Sequence, residues 1–167
     1  RDQTFIFASG MSKPEAFFAQ LYAHPDLQAE PSSGGRQMNG HYATPFLDAS
    51  GNWLGFTARK NSSADISPTA GQMVRGLGLA FASKLFRNQS GLATETHLSD
   101  RGNEVCFTTI GDASTSEGLF WETLNAAGVL QVPLAVFVWD DGYGISVPRK
   151  FQTTKNSVSE ILQGFQY

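Results

Sequence analysis

The sequence predicts an α/β fold, a three-layer α-β-α domain with a mostly parallel central sheet. Three observations lead there. Val105–Ile110 and Leu134–Trp139 are uninterrupted apolar runs, the pattern of strands buried on both faces. A helix-like segment joins them, and a strand–helix–strand unit is a right-handed crossover that leaves its strands parallel. Each run then ends in a carboxylate, at Gly111-Asp112 and at Asp140-Asp141-Gly142-Tyr143. Those positions are the carboxyl ends of neighbouring strands, where open α/β sheets bind ligands.

The remaining elements follow in chain order. Ser12-Lys13-Pro14-Glu15 combines a cap, an early proline and a third-position glutamate, and predicts a helix to about His24. Phe17, Phe18 and Leu21 are expected to face inward. Residues 25–69 hold little periodicity outside 52–57, and their Gly, Pro, Ser and Asp clusters are turn material. Within that stretch, residues 34–67 are expected to form a long irregular active-site or interface loop. Thr69–Arg87 predicts a helix with Met73, Leu77, Ala80, Phe81 and Leu85 along one stripe, while Gly76 and Gly78 allow close approach. Val105–Ile110 reads as a strand that Gly111 ends. Ser114-Thr115-Ser116-Glu117 matches a capping box and predicts a helix start near Ser114. Phe120, Leu124 and Ala127 repeat at helical spacing until Val132-Pro133 breaks the helix. Ser159–Phe165 predicts a last helix.

The chain has 167 residues, enough for one domain with a single core. Its formal charge is −3, from 12 basic and 15 acidic residues, with no basic run or stripe, so nucleic acid is not an expected partner. Cys106, the single cysteine, falls in a core strand and fits a cytoplasmic setting. No apolar stretch is long enough to span a bilayer. No Ser-His-Asp order or Cys-His pairing stands out, so covalent catalysis by a side chain is not expected.

The two strand-end carboxylates carry the chemistry. Two nearby carboxylates without a cation repel each other, and a divalent ion removes the conflict. Hard oxygen ligands suit Mg²⁺ or Ca²⁺, and magnesium with open positions suits a diphosphate. The helix amino end after Asp112 would offer N–H groups and a positive dipole end to a phosphate oxygen. A plainer reading gives Asp112 a capping role and makes Asp140-Asp141-Gly142 an ordinary acidic turn. Spacing alone leaves both open.

Gly111 to Tyr143 resembles the thiamine diphosphate signature, specifically that of the α part of the E1 component of 2-oxo acid dehydrogenase complexes. Gly111-Asp112-Ala113 fits the family's Gly-Asp-Gly. Asp141 falls where the second Asn of an Asn-Asn pair belongs, and Tyr143 where the family supplies a backbone carbonyl to the metal. Upstream, Gly35-Arg36-Gln37-Met38 with His41-Tyr42 is similar to a family loop. Ser67-Pro68-Thr69-Ala70-Gly71-Gln72 is similar to the loop beside the cofactor, and Arg1-Asp2 looks like the end of a Tyr-Arg pair. The resemblance covers nearly the whole chain and implies Mg²⁺ (or Ca²⁺) ligation by Asp112, Asp141 and the Tyr143 carbonyl. It implies a thiamine diphosphate site lined by Arg1, Ser67, Thr69, Gly111, Asp112, Ala113, Ser114, Asp141, Tyr143 and Ile145, with His41 facing substrate or cofactor.

The sequence also departs from that pattern. Asp replaces Asn at Asp140 and Asp141, and Asp140 is expected to be a turn carboxylate rather than a ligand. Ala113 replaces a glycine, which requires a negative φ there. Trp139 stands where some branched-chain members carry an Arg. Ile66 and Gly71 lack the oxygen side chains of a potassium loop, so potassium is not expected. The resemblance implies a fragment carrying the diphosphate-binding half, and the tail from Val147 to Lys155 resembles forms in which α and β parts are fused. The pyrimidine-binding domain or β part would supply the Glu that activates the cofactor, and no residue here can be given that role. Further implied partners are an E2 lipoyl domain and a second copy of the chain. The implied reaction is oxidative decarboxylation of pyruvate or a branched-chain 2-oxo acid. A transketolase-like enzyme on sugar phosphates and a non-catalytic metal- or partner-binding domain stand as alternatives.

Overall fold

A computed structural model describes residues 3–7, 18–19, 21–26, 28, 44–57, 61, 63, 68–154 and 156–165. A three-stranded sheet has the order β1-β2-β3, built from β1 (Gln3–Phe7), β2 (Val105–Gly111) and β3 (Leu134–Trp139). β2 and β3 are parallel, with Cys106 opposite Leu134 and Gly111 opposite Trp139. β1 runs antiparallel to β2 on its other side, with Gln3 opposite Thr109. Among the described residues the sheet is therefore mixed rather than mostly parallel, and β3 is an edge strand. The sequence reading missed β1, although Thr4-Phe5-Ile6-Phe7 is β-branched and aromatic in the manner of a strand.

Helix α1 (Gly71–Asn88) begins two residues later than expected, because Ala70 takes the left-handed conformation at φ 61° and interrupts the helical path. Helix α2 (Gly118–Leu130) forms the crossover. The core joins Ala70 and Met73 to Ile110 and Phe120, with Trp121, Leu124, Val136, Val138, Val158 and Leu162 packed against it. Phe120 and Trp121 meet edge-to-face at 5.0 Å. Gly76 lets α1 lie directly on β2, since a Cβ there would collide with the Thr108 hydroxyl. The Gln72 side-chain amide donates to the Thr109 carbonyl at 3.0 Å and ties the same two elements.

Burial along β2 alternates, with Cys106, Thr108 and Ile110 inside. The opposite face carries Phe107 stacked on Phe137 at 5.8 Å, and Phe137 and Trp139 are both more than half exposed. Among the described residues α1 and α2 cover one face; the helix expected on the other face is not among them. The segment expected to be a helix from Ser12 lies mostly outside the described residues. Of its expected inward side chains, Phe18 and Leu21 are exposed and Phe17 lies outside the described set.

Part of the expected loop 34–67 is ordered by a turn. Leu47 bridges Trp53, and Asp48 accepts hydrogen bonds from the Ser50 and Asn52 amides at 2.8 and 2.9 Å and from the Asn52 side chain at 3.0 Å. The Asn52 side chain, foremost among these donors, holds the Asp48 carboxyl below its ordinary range. Trp53 rests on His97 at 5.0 Å. Residues 34–43, 58–60, 62 and 64–67 of that loop, including Gly35–Met38 and His41, lie outside the described residues. The last helix, α3, spans Val158–Leu162, shorter than expected, with Ser157 accepting from the Glu160 amide at 3.4 Å.

The amino end of β2 is clamped by a buried carboxylate. Glu104 is 3% exposed. It accepts from the Ser99 hydroxyl at 2.8 Å, from the Ser83 hydroxyl at 3.4 Å and from the Asp100 amide. Ser83 also donates to the Glu104 carbonyl at 2.7 Å, so α1 and β2 are joined there through one residue.

Candidate metal and diphosphate site

Parallel pairing fixes where the two sequence-marked turns fall. Gly111 lies opposite Trp139, and the Asp112 amide continues the ladder by donating to the Trp139 carbonyl at 3.2 Å. Asp112 and Asp140-Asp141 therefore leave the sheet together at its carboxyl edge. Asp112 is 6% exposed, and its Oδ1 is buried with no hydrogen-bond partner among the described residues. A carboxylate oxygen in that condition is costly, and a hard cation is the ligand that would satisfy it.

The chain after Asp112 makes a tight turn instead of an immediate α-helix. Ala113–Ser116 is a 3₁₀ turn, and α2 begins only at Gly118. The Asp112 carbonyl accepts from both the Thr115 amide, at 3.1 Å, and the Thr115 hydroxyl, at 2.6 Å. These two hydrogen bonds to one carbonyl tighten the turn, in place of the capping box expected from Ser114 and Glu117. No side-chain cap forms at Glu117. Ala113 sits inside the helical turn and not among the positive-φ residues, which meets the condition for replacing glycine.

The second turn folds back onto the first. β4 (Tyr143–Gly144) and β5 (Val147–Pro148) form a short antiparallel hairpin. A Cβ on Gly144 would fall 2.7 Å from the Ala113 Cβ, so only glycine allows this approach. The hairpin that carries Tyr143 is thereby seated against Ala113. The Asp141 carboxylate accepts from the Tyr143 amide at 3.2 Å. Asp140 accepts from the Gly142 amide at 3.1 Å and pairs with the Arg149 guanidinium.

Gly111, Asp112, Ala113, Ser114, Asp141 and Tyr143 are thus gathered at one edge of the sheet. Thr69 lies exposed just ahead of α1, and Ile145 lies fully exposed at the hairpin tip with φ 57°. Arg1, His41 and Ser67 lie outside the described residues. No three His, Cys, Asp or Glu side chains converge among the described residues, so a metal here would draw on two carboxylates and a backbone carbonyl. Arg149 was not singled out from the sequence. Its signal there is slight, a basic residue following Val147-Pro148, and only the hairpin returns it to Asp140.

The profile of the dehydrogenase E1 component family matches residues 1–166. The chain belongs to that family. As an E1-type chain it is 26% identical over 166 residues to the 2-oxoisovalerate dehydrogenase subunit alpha of Bacillus subtilis (strain 168), covering 99% of this chain and 41% of the relative. It is 30% identical over 90 residues to the pyruvate dehydrogenase E1 component subunit alpha of Staphylococcus aureus (strain Mu50), covering 53% of this chain and 20% of that protein. A Staphylococcus epidermidis protein of the same description is 34% identical over 64 residues, 38% of this chain and 17% of the relative. The E1-type chain spans less than half the length of these curated relatives. Among its described residues no helix is long and apolar enough to cross a membrane.

Proposed function

We propose that this chain is the diphosphate-binding domain, residues 1–167, of a thiamine diphosphate-dependent E1 component that oxidatively decarboxylates a 2-oxo acid. The observation that carries the reading is Asp112, buried at the strand end with Oδ1 lacking a hydrogen-bond partner among the described residues. Family membership and the likeness to E1 alpha subunits support it. Asp112, Asp141 and the Tyr143 carbonyl would hold Mg²⁺ or Ca²⁺. Gly111, Ala113 and Ser114 would line the diphosphate, with Arg1, Ser67, Thr69 and Ile145 completing the cofactor contacts and His41 facing substrate. When bound, thiamine diphosphate supplies the nucleophilic carbon that attacks the 2-oxo group.

The chain's own part is to hold and orient. The Thr115 bonds fix the Asp112 backbone, the Gly144–Ala113 contact seats the hairpin that carries Tyr143, and the sheet ladder fixes Asp112 relative to the second turn. A pyrimidine-binding domain or β part would complete the cofactor envelope and supply the activating Glu, and a second copy of the chain would complete the assembly. The acyl group would pass to a lipoyl group of E2. Pyruvate and branched-chain 2-oxo acids are the substrate class, and the cytosol is the setting that the lone buried Cys106 favours.

The test is decarboxylation of pyruvate and 2-oxoisovalerate with Mg²⁺, thiamine diphosphate and an artificial electron acceptor, with and without the pyrimidine-binding part. The expected result is turnover only with both parts, abolished in Asp112→Ala and retained in Asp141→Asn. Wild-type turnover in Asp112→Ala, or activity on sugar phosphates in place of 2-oxo acids, would reject the reading.

A further inference from the structure

The ladder brings Asp112 and Asp140-Asp141 to the same carboxyl edge of the sheet, at the ends of two strands, and their charges weigh against an anionic diphosphate bound there. Carboxylates oppose an anion placed beside them. Arg149 answers this at Asp140. Its guanidinium pairs with Asp140 Oδ2, and its backbone amide donates to the Gly142 carbonyl at 2.8 Å. The other Asp140 oxygen accepts from the Gly142 amide at 3.1 Å, so Asp140 is engaged on both oxygens. Arg149 is itself fixed, because it opens the turn Arg149–Phe151 and its carbonyl accepts from the Gln152 amide at 2.8 Å. The Gln152 side chain in turn donates to the Val147 carbonyl at 3.0 Å.

We infer that Arg149 is a positioning residue for the metal–diphosphate site: it cancels the Asp140 charge and draws that carboxylate toward the 147–152 turn, so that Asp141 is the one that joins Asp112. This rests on the reading of the site given above. The same contacts hold the turn that presents Tyr143, since Arg149 grips Gly142 through its backbone and Asp140 through its side chain. The pair is partly exposed, at 34% for the Arg149 side chain and 42% for Asp140, and such pairs add little to folding stability. Its contribution is therefore expected in ligand affinity and not in the melting temperature.

The experiment is calorimetric titration of thiamine diphosphate at saturating Mg²⁺, at low ionic strength, into the intact protein with its pyrimidine-binding part. The variants are Arg149→Gln, Arg149→Lys, the double variant Asp140→Asn with Arg149→Gln, and Asp112→Ala. Arg149→Gln is expected to weaken binding about tenfold by restoring one unpaired charge beside the anion. The double variant is expected to return to within about twofold of the wild type, because the amide carries no charge to cancel. Arg149→Lys is expected to keep most of the affinity, and all three should melt within about 2 °C of the wild type. Wild-type affinity in Arg149→Gln overturns the inference, as does a double variant as weak as Arg149→Gln, which would mean that Arg149 touches the diphosphate itself. Loss of binding in Asp112→Ala with Arg149→Gln unaffected overturns the inference and keeps the site. Unchanged binding in Asp112→Ala overturns both.

Discussion

Strand β2 is flanked by two buried carboxylates, and they differ in one respect. Glu104, 3% exposed, accepts from two serine hydroxyls and a backbone amide. Asp112, 6% exposed, has an oxygen with no such donor among the described residues. Burial of a carboxylate is tolerated when its lone pairs are used. Glu104 meets that rule with groups from the chain and works as a clamp between α1 and β2. Asp112 breaks it at the edge of the sheet where two turns converge. The same side-chain chemistry thus supports structure at one end of a strand and, on the function proposed above, would support a binding site at the other.

The difference can be broken by substitution. Glu104→Ala would strand the Ser99 hydroxyl and the Asp100 amide, and is expected to lower the unfolding free energy by about 3 kcal/mol in urea titrations. Gly144→Ala should cost about 1–2 kcal/mol by overpacking against Ala113. It should also weaken Mg²⁺-thiamine diphosphate binding by moving Tyr143 away from Asp112. Asp112→Asn, measured without metal, should stay within about 1 kcal/mol of the wild type, because it removes a poorly satisfied charge. A fall as large as that of Glu104→Ala would make Asp112 a second structural clamp.

Cys106 lies between the two carboxylates in the same strand and gives a pH readout of the core. Burial pushes its thiol up from an ordinary 9.0 to about 12, against a smaller opposing effect of a hydrogen bond with Thr108. The folded state therefore holds this proton more tightly than the unfolded state. The resulting stability is complete below about pH 9 and is lost as pH rises from 9 toward 12. At pH 10 the loss from this group should be about 1 kcal/mol, and it should disappear in Cys106→Ala when unfolding is followed across that range.

The site edge was legible because two signals coincide there, an apolar run that ends and a carboxylate that follows. The parallel pairing of β2 and β3 came from the crossover length between them. Other features depended on partners remote in sequence. The helix start at Gly118 was misread because Ser114 and Glu117 match a cap, whereas the Thr115 hydroxyl closes onto Asp112 first. The exposure of Phe137 and Trp139 was not legible, because an apolar run does not show which of its side chains find a covering partner. The Asp140–Arg149 pair was invisible until the hairpin joined its ends, although Asp140 had been read as a turn carboxylate.

The central claim is that the Asp112 carboxylate is a cation ligand, and linkage between binding and unfolding tests it directly. Urea unfolding would be measured with and without Mg²⁺ and thiamine diphosphate at about 100 times their dissociation constant, on the intact protein with its pyrimidine-binding part. The wild type and Glu104→Gln are each expected to gain about 2.7 kcal/mol from the ligands, and Asp112→Ala to gain nothing. An equal gain in Asp112→Ala would contradict the claim.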